Sequence, residues 1–175
     1  MRTLFAVAAL SIAACHPAVR AAGHAHVHGI AKLDIAVEAG KLVVHLDSPL
    51  DNILGFERAP GTDAERRQAD AALARLKAAS MFRIDPAAQC RLVGVDLASA
   101  ALHLGKPDPE EETDGHADID GTFEFDCVDA TKAAHVDVGL FEFARLQGLE
   151  VQVATPAGQF RRDLKRPAVR IRLGK

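Results

Sequence analysis

The chain has 175 residues, a formal net charge of −3 at pH 7 and an apolar fraction of 49%, too apolar for a disordered chain even though much of that fraction is alanine. It contains neither Trp nor Tyr, so stacking surfaces for bases and sugars are poorly supplied, which argues against nucleic-acid and carbohydrate ligands.

Met1 and Arg2 precede the apolar run "TLFAVAALSIAA", which is too short to remain in a bilayer as a spanning helix and predicts an export signal. Two processing points compete. "IAAC" ending at Cys15 resembles a lipobox, which would make residues 1–14 the leader and Cys15 a lipid anchor to a membrane. "VRA" ending at Ala21 would instead make residues 1–21 the leader and release a soluble product. Both imply export, and no later segment is apolar and long enough to span a membrane.

Residues 22–29 form a histidine-rich N-terminal segment, with His24, His26 and His28 at alternate positions in "GHAHVHG". Alternate side chains of an extended chain share one face, and imidazole is a zinc ligand. His24 and His28 would stand about 13 Å apart on a straight strand, so one ion takes two of the three unless the backbone bends. Spacing alone fits a solvated tether as well as a metal site.

Residues 30–175 read as one domain. From Ile30, apolar and polar residues alternate, "EAGK" supplies a turn, and Leu42, Val44 and Leu46 continue the pattern to Pro49. Residues 30–47 therefore predict a β-hairpin. "TDAE" at Thr62–Glu65 has the spacing of a capping box, followed by Ala69, Ala72, Leu73 and Leu76 at helical spacing. This predicts one amphipathic helix over about 63–79, lying on a sheet.

After Pro86 a strand is expected from Cys90 to Leu97, then an acidic loop around 105–115, then an alternating strand from Ile119 to Cys127. Residues 135–143 are apolar without a clear period. "LEVQVATPAGQFRRDL" predicts a hairpin turning at "PAG", and "AVRIRL" a short last strand with Arg170 and Arg172 on its polar face. The sum is an α+β fold: a mainly antiparallel sheet of about seven or eight strands with one helix packed on it.

With Cys15 cleaved away or lipidated, Cys90 and Cys127 remain as an even pair in an oxidising compartment, where a disulfide is the default. Joint metal binding by the two is disfavoured, because they lie far apart without a CxxC partner. Charge is uneven: residues 108–126 hold nine carboxylates and no Lys or Arg, whereas 151–175 hold seven basic residues against one Asp. A solvated acidic loop beside a basic sheet edge accounts for this, and so does a cation-attracting region.

His116 and Asp118 repeat the alternate spacing at the start of a strand, imidazole and carboxylate lying about 7 Å apart. That is close enough to reach one ion together. His45 and His103 read as surface histidines, His135 as a satisfied core residue, and His16 as part of the leader or tether. No HExxH, GxSxG, P-loop or glycine-rich dinucleotide turn occurs, so no enzymatic activity is expected. Met1 and Met81 are the only thioethers, which disfavours a soft Cu(I) site; Cu(II) and Ni(II) would compete by intrinsic affinity.

The stretch "HVHGIAKLDIAVEAGKLVVHLDSPLDNILGFERAP", the helix continuing into "ALARLKAASMFRI", Cys90, "HADIDGTFEFDC" and "GLEVQVATPAGQFRRDL" together resemble the ZrgA family of zinc-regulated periplasmic proteins of Gram-negative bacteria. The resemblance covers nearly all of the chain after the leader. It implies a periplasmic, non-catalytic zinc-binding protein with a role in zinc acquisition, its partners being the zinc ion and a zinc importer component. The implied ligands are His26, His28, His116 and Asp118, with His24 as an alternate and Glu57 as a further candidate. Two departures stand out: Arg58 occupies a position where the family commonly has His, and "GKPDPEEETDG" replaces the histidine-rich insert of many members.

Overall fold

The computed structural model describes residues 27–107 and 117–174. The first two strands, β1 (Ile30–Val37) and β2 (Lys41–Pro49), are joined by the expected tight turn, where Glu38 N donates to Lys41 O at 2.9 Å. Leu33 and Ile35 of β1 and Leu42, Val44 and Leu46 of β2 are all buried, while Asp34 and His45 on the alternate positions face solvent.

Pro49 ends β2, and the chain enters α1 (Leu50–Leu54), a short helix that the sequence pattern did not suggest. Gly55 closes it in the left-handed region at φ 82°, its N–H bonded to Asp51 O at 2.8 Å, a conformation that costs glycine nothing.

The longer helix, α2 (Asp63–Leu76), starts where expected. Glu65 N donates to Thr62 Oγ1 at 3.2 Å and Thr62 N donates to Glu65 Oε2 at 3.1 Å, so the capping box is complete. Arg58 adds a 2.6 Å ion pair to Glu65, and with the backbone N–H of Gly61 it holds that carboxyl down at about 2. The helix stops at Leu76 rather than 79, because Ala78 turns extended to bring Met81 and Phe82 into the core.

Then follow β3 (Phe82–Ile84), β4 (Cys90–Ala98), β5 (Asp118–Cys127), β6 (His135–Val138), β7 (Gly148–Thr155), β8 (Gly158–Lys165) and β9 (Arg170–Arg172). The expectation of seven or eight strands in one mainly antiparallel sheet needs correction. Among the described residues, nine strands form two sheets, in the orders β4-β5-β2-β1-β7-β8 and β3-β6-β9. β1 also runs parallel to β7, from Ile30 opposite Gly148 to Ala36 opposite Ala154. The mixed sheet arises because the first hairpin inserts between the later hairpin β7–β8 and strand β5. The α+β class stands, with more strand than helix.

The buried faces of both sheets share one core with Ala69, Ala72 and Leu76 of α2, and Phe82 meets Phe123 edge-on with ring centroids 4.7 Å apart. Each fully buried Leu, Ile, Val, Phe or Met side chain contributes roughly 1.5–3 kcal/mol by leaving water. Cys90 and Cys127 are directly opposed in the β4–β5 register and disulfide-bonded. On the small sheet His135 is half-buried, its Nδ1 3.2 Å from Asp85 Oδ2, a satisfied histidine as expected. Among the described residues no helix is long and apolar enough to cross a membrane.

Candidate metal centre

Three strand ends meet at one end of the large sheet. Antiparallel pairing sets Pro49, the last residue of β2, opposite Asp118, the first of β5, and the same geometry places the start of β1 beside the end of β2. β2 lies between β1 and β5, so these two starts are separated by roughly 10 Å, two inter-strand spacings. Leu50 N donates to Ala117 O at 2.8 Å and extends the pairing one step past β2.

His28 does not sit on a strand, as the alternating pattern implied. Val27 to Ile30 form a turn, with Ile30 N bonded to Val27 O at 3.0 Å and Gly29 at φ 84°. Gly29 is fixed on both sides. Its N–H donates to Asn52 Oδ1 at 2.6 Å, and its carbonyl accepts from Gln147 N at 2.7 Å and Gly148 N at 2.9 Å. Asn52, buried in α1, returns two bonds through its amide nitrogen, to Ile30 O at 2.9 Å and Ser48 Oγ at 3.2 Å. The loop that supplies Gln147 is itself pinned by Arg166, which donates to Leu146 O and Phe143 O at 2.7 and 2.8 Å. From Val27 onward the chain is a built corner.

The turn brings His28 Nε2 to 2.8 Å from Glu57 Oε1, the imidazole 60% exposed and the carboxylate 19%. Glu57 follows α1 and so reaches this corner as the continuation of β2. Asp118 is buried at the head of β5. His24, His26, His116 and Cys15 lie outside the described residues. Among the described residues no three His, Cys, Asp or Glu side chains stand together as a metal-holding group.

The sequence profile of the ZrgA family, described as a zinc uptake protein family, matches residues 25–173. The chain belongs to the ZrgA family. No curated protein matches it. The matched span begins inside the histidine run and includes Glu57, His116 and Asp118.

Within this ZrgA member, the donors fit zinc in kind. Imidazole nitrogen and carboxylate oxygen are both zinc ligands, and the exposed His28 side chain has room to move by the few tenths of an ångström that separate 2.8 Å from a tetrahedral ligand edge of roughly 3.4 Å. Arg58, where the family commonly has His, is committed elsewhere, paired with Glu65 and stacked 5.0 Å over the Phe56 ring. Sequence reasoning missed Asn52. Its signal would have been a polar residue inside the short apolar run "LDNIL", where a hydrophobic side chain would pack equally well.

His45 marks a second feature, on the solvent face of the large sheet. Its Nδ1 is 3.3 Å from Thr122 Oγ1, and it lines an open depression of about 240 Å³ with Lys32, Asp34, Asp47, Asp120 and Glu150. Lys32 lies 3.4 Å from Asp47 and Arg161 3.2 Å from Glu150, so the two cations that line this depression already have partners.

Proposed function

We propose that this protein is a periplasmic zinc-binding accessory protein that buffers the ion or delivers it to a zinc importer, without catalysing a reaction. The observation that carries this reading is the His28–Glu57 pair at 2.8 Å on a fixed turn, at the sheet end where β5 begins with Asp118. In a member of a zinc uptake family, an imidazole and a carboxylate brought together from separate segments are donors prepared for a cation. His26 and His24 precede this turn and His116 precedes Asp118 in sequence, so further donors come from the same two segments.

The 2.8 Å contact needs a hydrogen between nitrogen and oxygen, and zinc can take Nε2 only when that hydrogen has left it, for Nδ1 in a neutral ring. Because protons compete with zinc for imidazole nitrogen and carboxylate oxygen, binding weakens in acid. Zinc is cargo in this reading: His28 and Glu57 hold the ion, while the surrounding bonds keep both donors at the corner.

The experiment is titration of the processed chain with zinc, with and without residues 22–28. Saturable binding that weakens sharply on loss of that segment supports the reading. Equal affinity in both proteins puts the ligands outside residues 22–28 and makes that segment a tether, and no binding in either replaces the reading with a non-metal interaction domain displayed on a histidine-rich tether.

A further inference from the structure

Asn52 is 1% exposed. A polar side chain so deeply buried is costly unless its donors and acceptor are used. Here they are, and all three bonds leave the helix that carries it: to Gly29 N, to Ile30 O and to Ser48 Oγ. None of them closes α1, whose end is capped by the backbone bond from Gly55. Two of the three grip the peptide groups that flank the Gly29–Ile30 pair, the N–H of the His28–Gly29 peptide and the carbonyl of the Ile30–Ala31 peptide, directly after His28. The third ties the grip to the buried hydroxyl of β2, which itself donates to Pro49 O at 3.1 Å. Asparagine is a weaker helix former than leucine, so its presence in α1 serves the neighbouring turn and not the helix.

We infer that Asn52 is the positioning residue of the zinc centre, setting zinc affinity through the rigidity of the turn that presents His28. The inference rests on the zinc reading above. With its acceptor on Gly29 N–H and its donor on Ile30 O, Asn52 holds the two residues after His28 in one orientation, so the imidazole meets Glu57 already ordered. Without that grip the turn must be ordered when the ion binds, and affinity falls. The coupling is reciprocal: zinc on His28 tightens the Gly29–Asn52 bond.

The test uses the processed full chain and zinc chloride, titrated against a competing chromophoric chelator, together with amide hydrogen exchange at Gly29. Asn52→Ala is compared with wild type and with Leu76→Ala, a core truncation in α2 that lowers stability without touching the corner. The expected result is about tenfold weaker zinc binding in Asn52→Ala, at the low end of the ~10–100-fold range for residues that orient metal ligands. Gly29 exchange should be faster in that variant, and zinc should slow it in wild type. Leu76→Ala should retain wild-type affinity. If Asn52→Ala does not fold, Asn52→Ser carries the same comparison.

Wild-type affinity in the Asn52 variant despite faster Gly29 exchange overturns the inference, as does an equal loss of affinity in Leu76→Ala. A wild-type chain that binds no zinc overturns the zinc reading itself, a distinct outcome.

Discussion

His28 Nε2 and Glu57 Oε1 stand 2.8 Å apart although one belongs to the turn before β1 and the other follows the helix after β2. Two side chains from separate segments meet this closely only when the backbone beneath them is held. If both contact one ion, their substitutions are not independent. His28→Ala and Glu57→Gln should each weaken zinc binding by roughly tenfold or more, and the double variant by less than the product of the two. Competition titration of the four proteins gives the coupling; strictly multiplicative losses would mean the two side chains do not share an ion.

Gly29 should resist substitution for two reasons. Its φ of 84° disfavours any residue with a Cβ, and a Cβ there would sit 3.4 Å from Gln147 Cγ and 3.6 Å from Arg145 O. Gly29→Ala should cost about 1–2 kcal/mol of stability, read as a lower urea midpoint at unchanged slope. Zinc affinity should drop with it, since the same turn carries His28.

Glu65 links stability to acid pH. Its carboxyl is held at about 2 against an ordinary 4.5, first by Arg58 and then by Gly61 N–H. A depressed acid stabilises the fold while ionised, so this contribution is full above about pH 4.5 and disappears as pH falls through 2. Asp137, held down by Arg170, and Asp85, held down by the N–H groups of Ala87 and Ala134, act in the same direction. Urea unfolding of wild type between pH 7 and 2 should show stability declining below about 4.5. Glu65→Gln should lose part of that slope, and a slope identical to wild type would show that the Arg58 pair adds nothing.

The Cys90–Cys127 bond closes a loop between residues 37 apart in sequence, which in the chain-entropy model corresponds to about 4 kcal/mol. The double variant Cys90→Ala with Cys127→Ala should lose stability on that order, measured by urea unfolding against the oxidised wild type. Because the pair lies at the β4–β5 end opposite the His28–Glu57 corner, zinc affinity of the folded variant should stay near wild type.

Strand faces and the cap of α2 were legible because they are local: alternation in Ile30–Val37 and the Thr62–Glu65 spacing state their own consequences. Neighbour relations are not local. Nothing in β1 announces that β7 will lie parallel to it, since a pattern of buried Leu33 and Ile35 tells which face is inside and not which strand is alongside. β3 escaped notice because three residues carry too little periodicity. At the site, the histidines and carboxylates were visible as residue types. The turn that removes His28 from a strand depends on Asn52, Gln147 and Gly148, which come from distant parts of the chain.

The placement of β1 between β2 and β7 also has a consequence for the order of synthesis. β1 is made before the other described strands, pairs readily with β2 through a two-residue turn, and then waits for a partner encoded more than a hundred residues later, since Ile30 pairs with Gly148. Until β7 emerges, the backbone edge of β1 that will pair with it stays open beside the apolar face of Leu33 and Ile35, the kind of surface that recruits wrong partners. Late docking of β7 also delivers Gln147 and Gly148 to Gly29, so the corner that holds His28 is among the last parts of the molecule to form. A ribosome-stalled or truncated product lacking β7 should therefore be both aggregation-prone and unable to present His28 in its fixed turn.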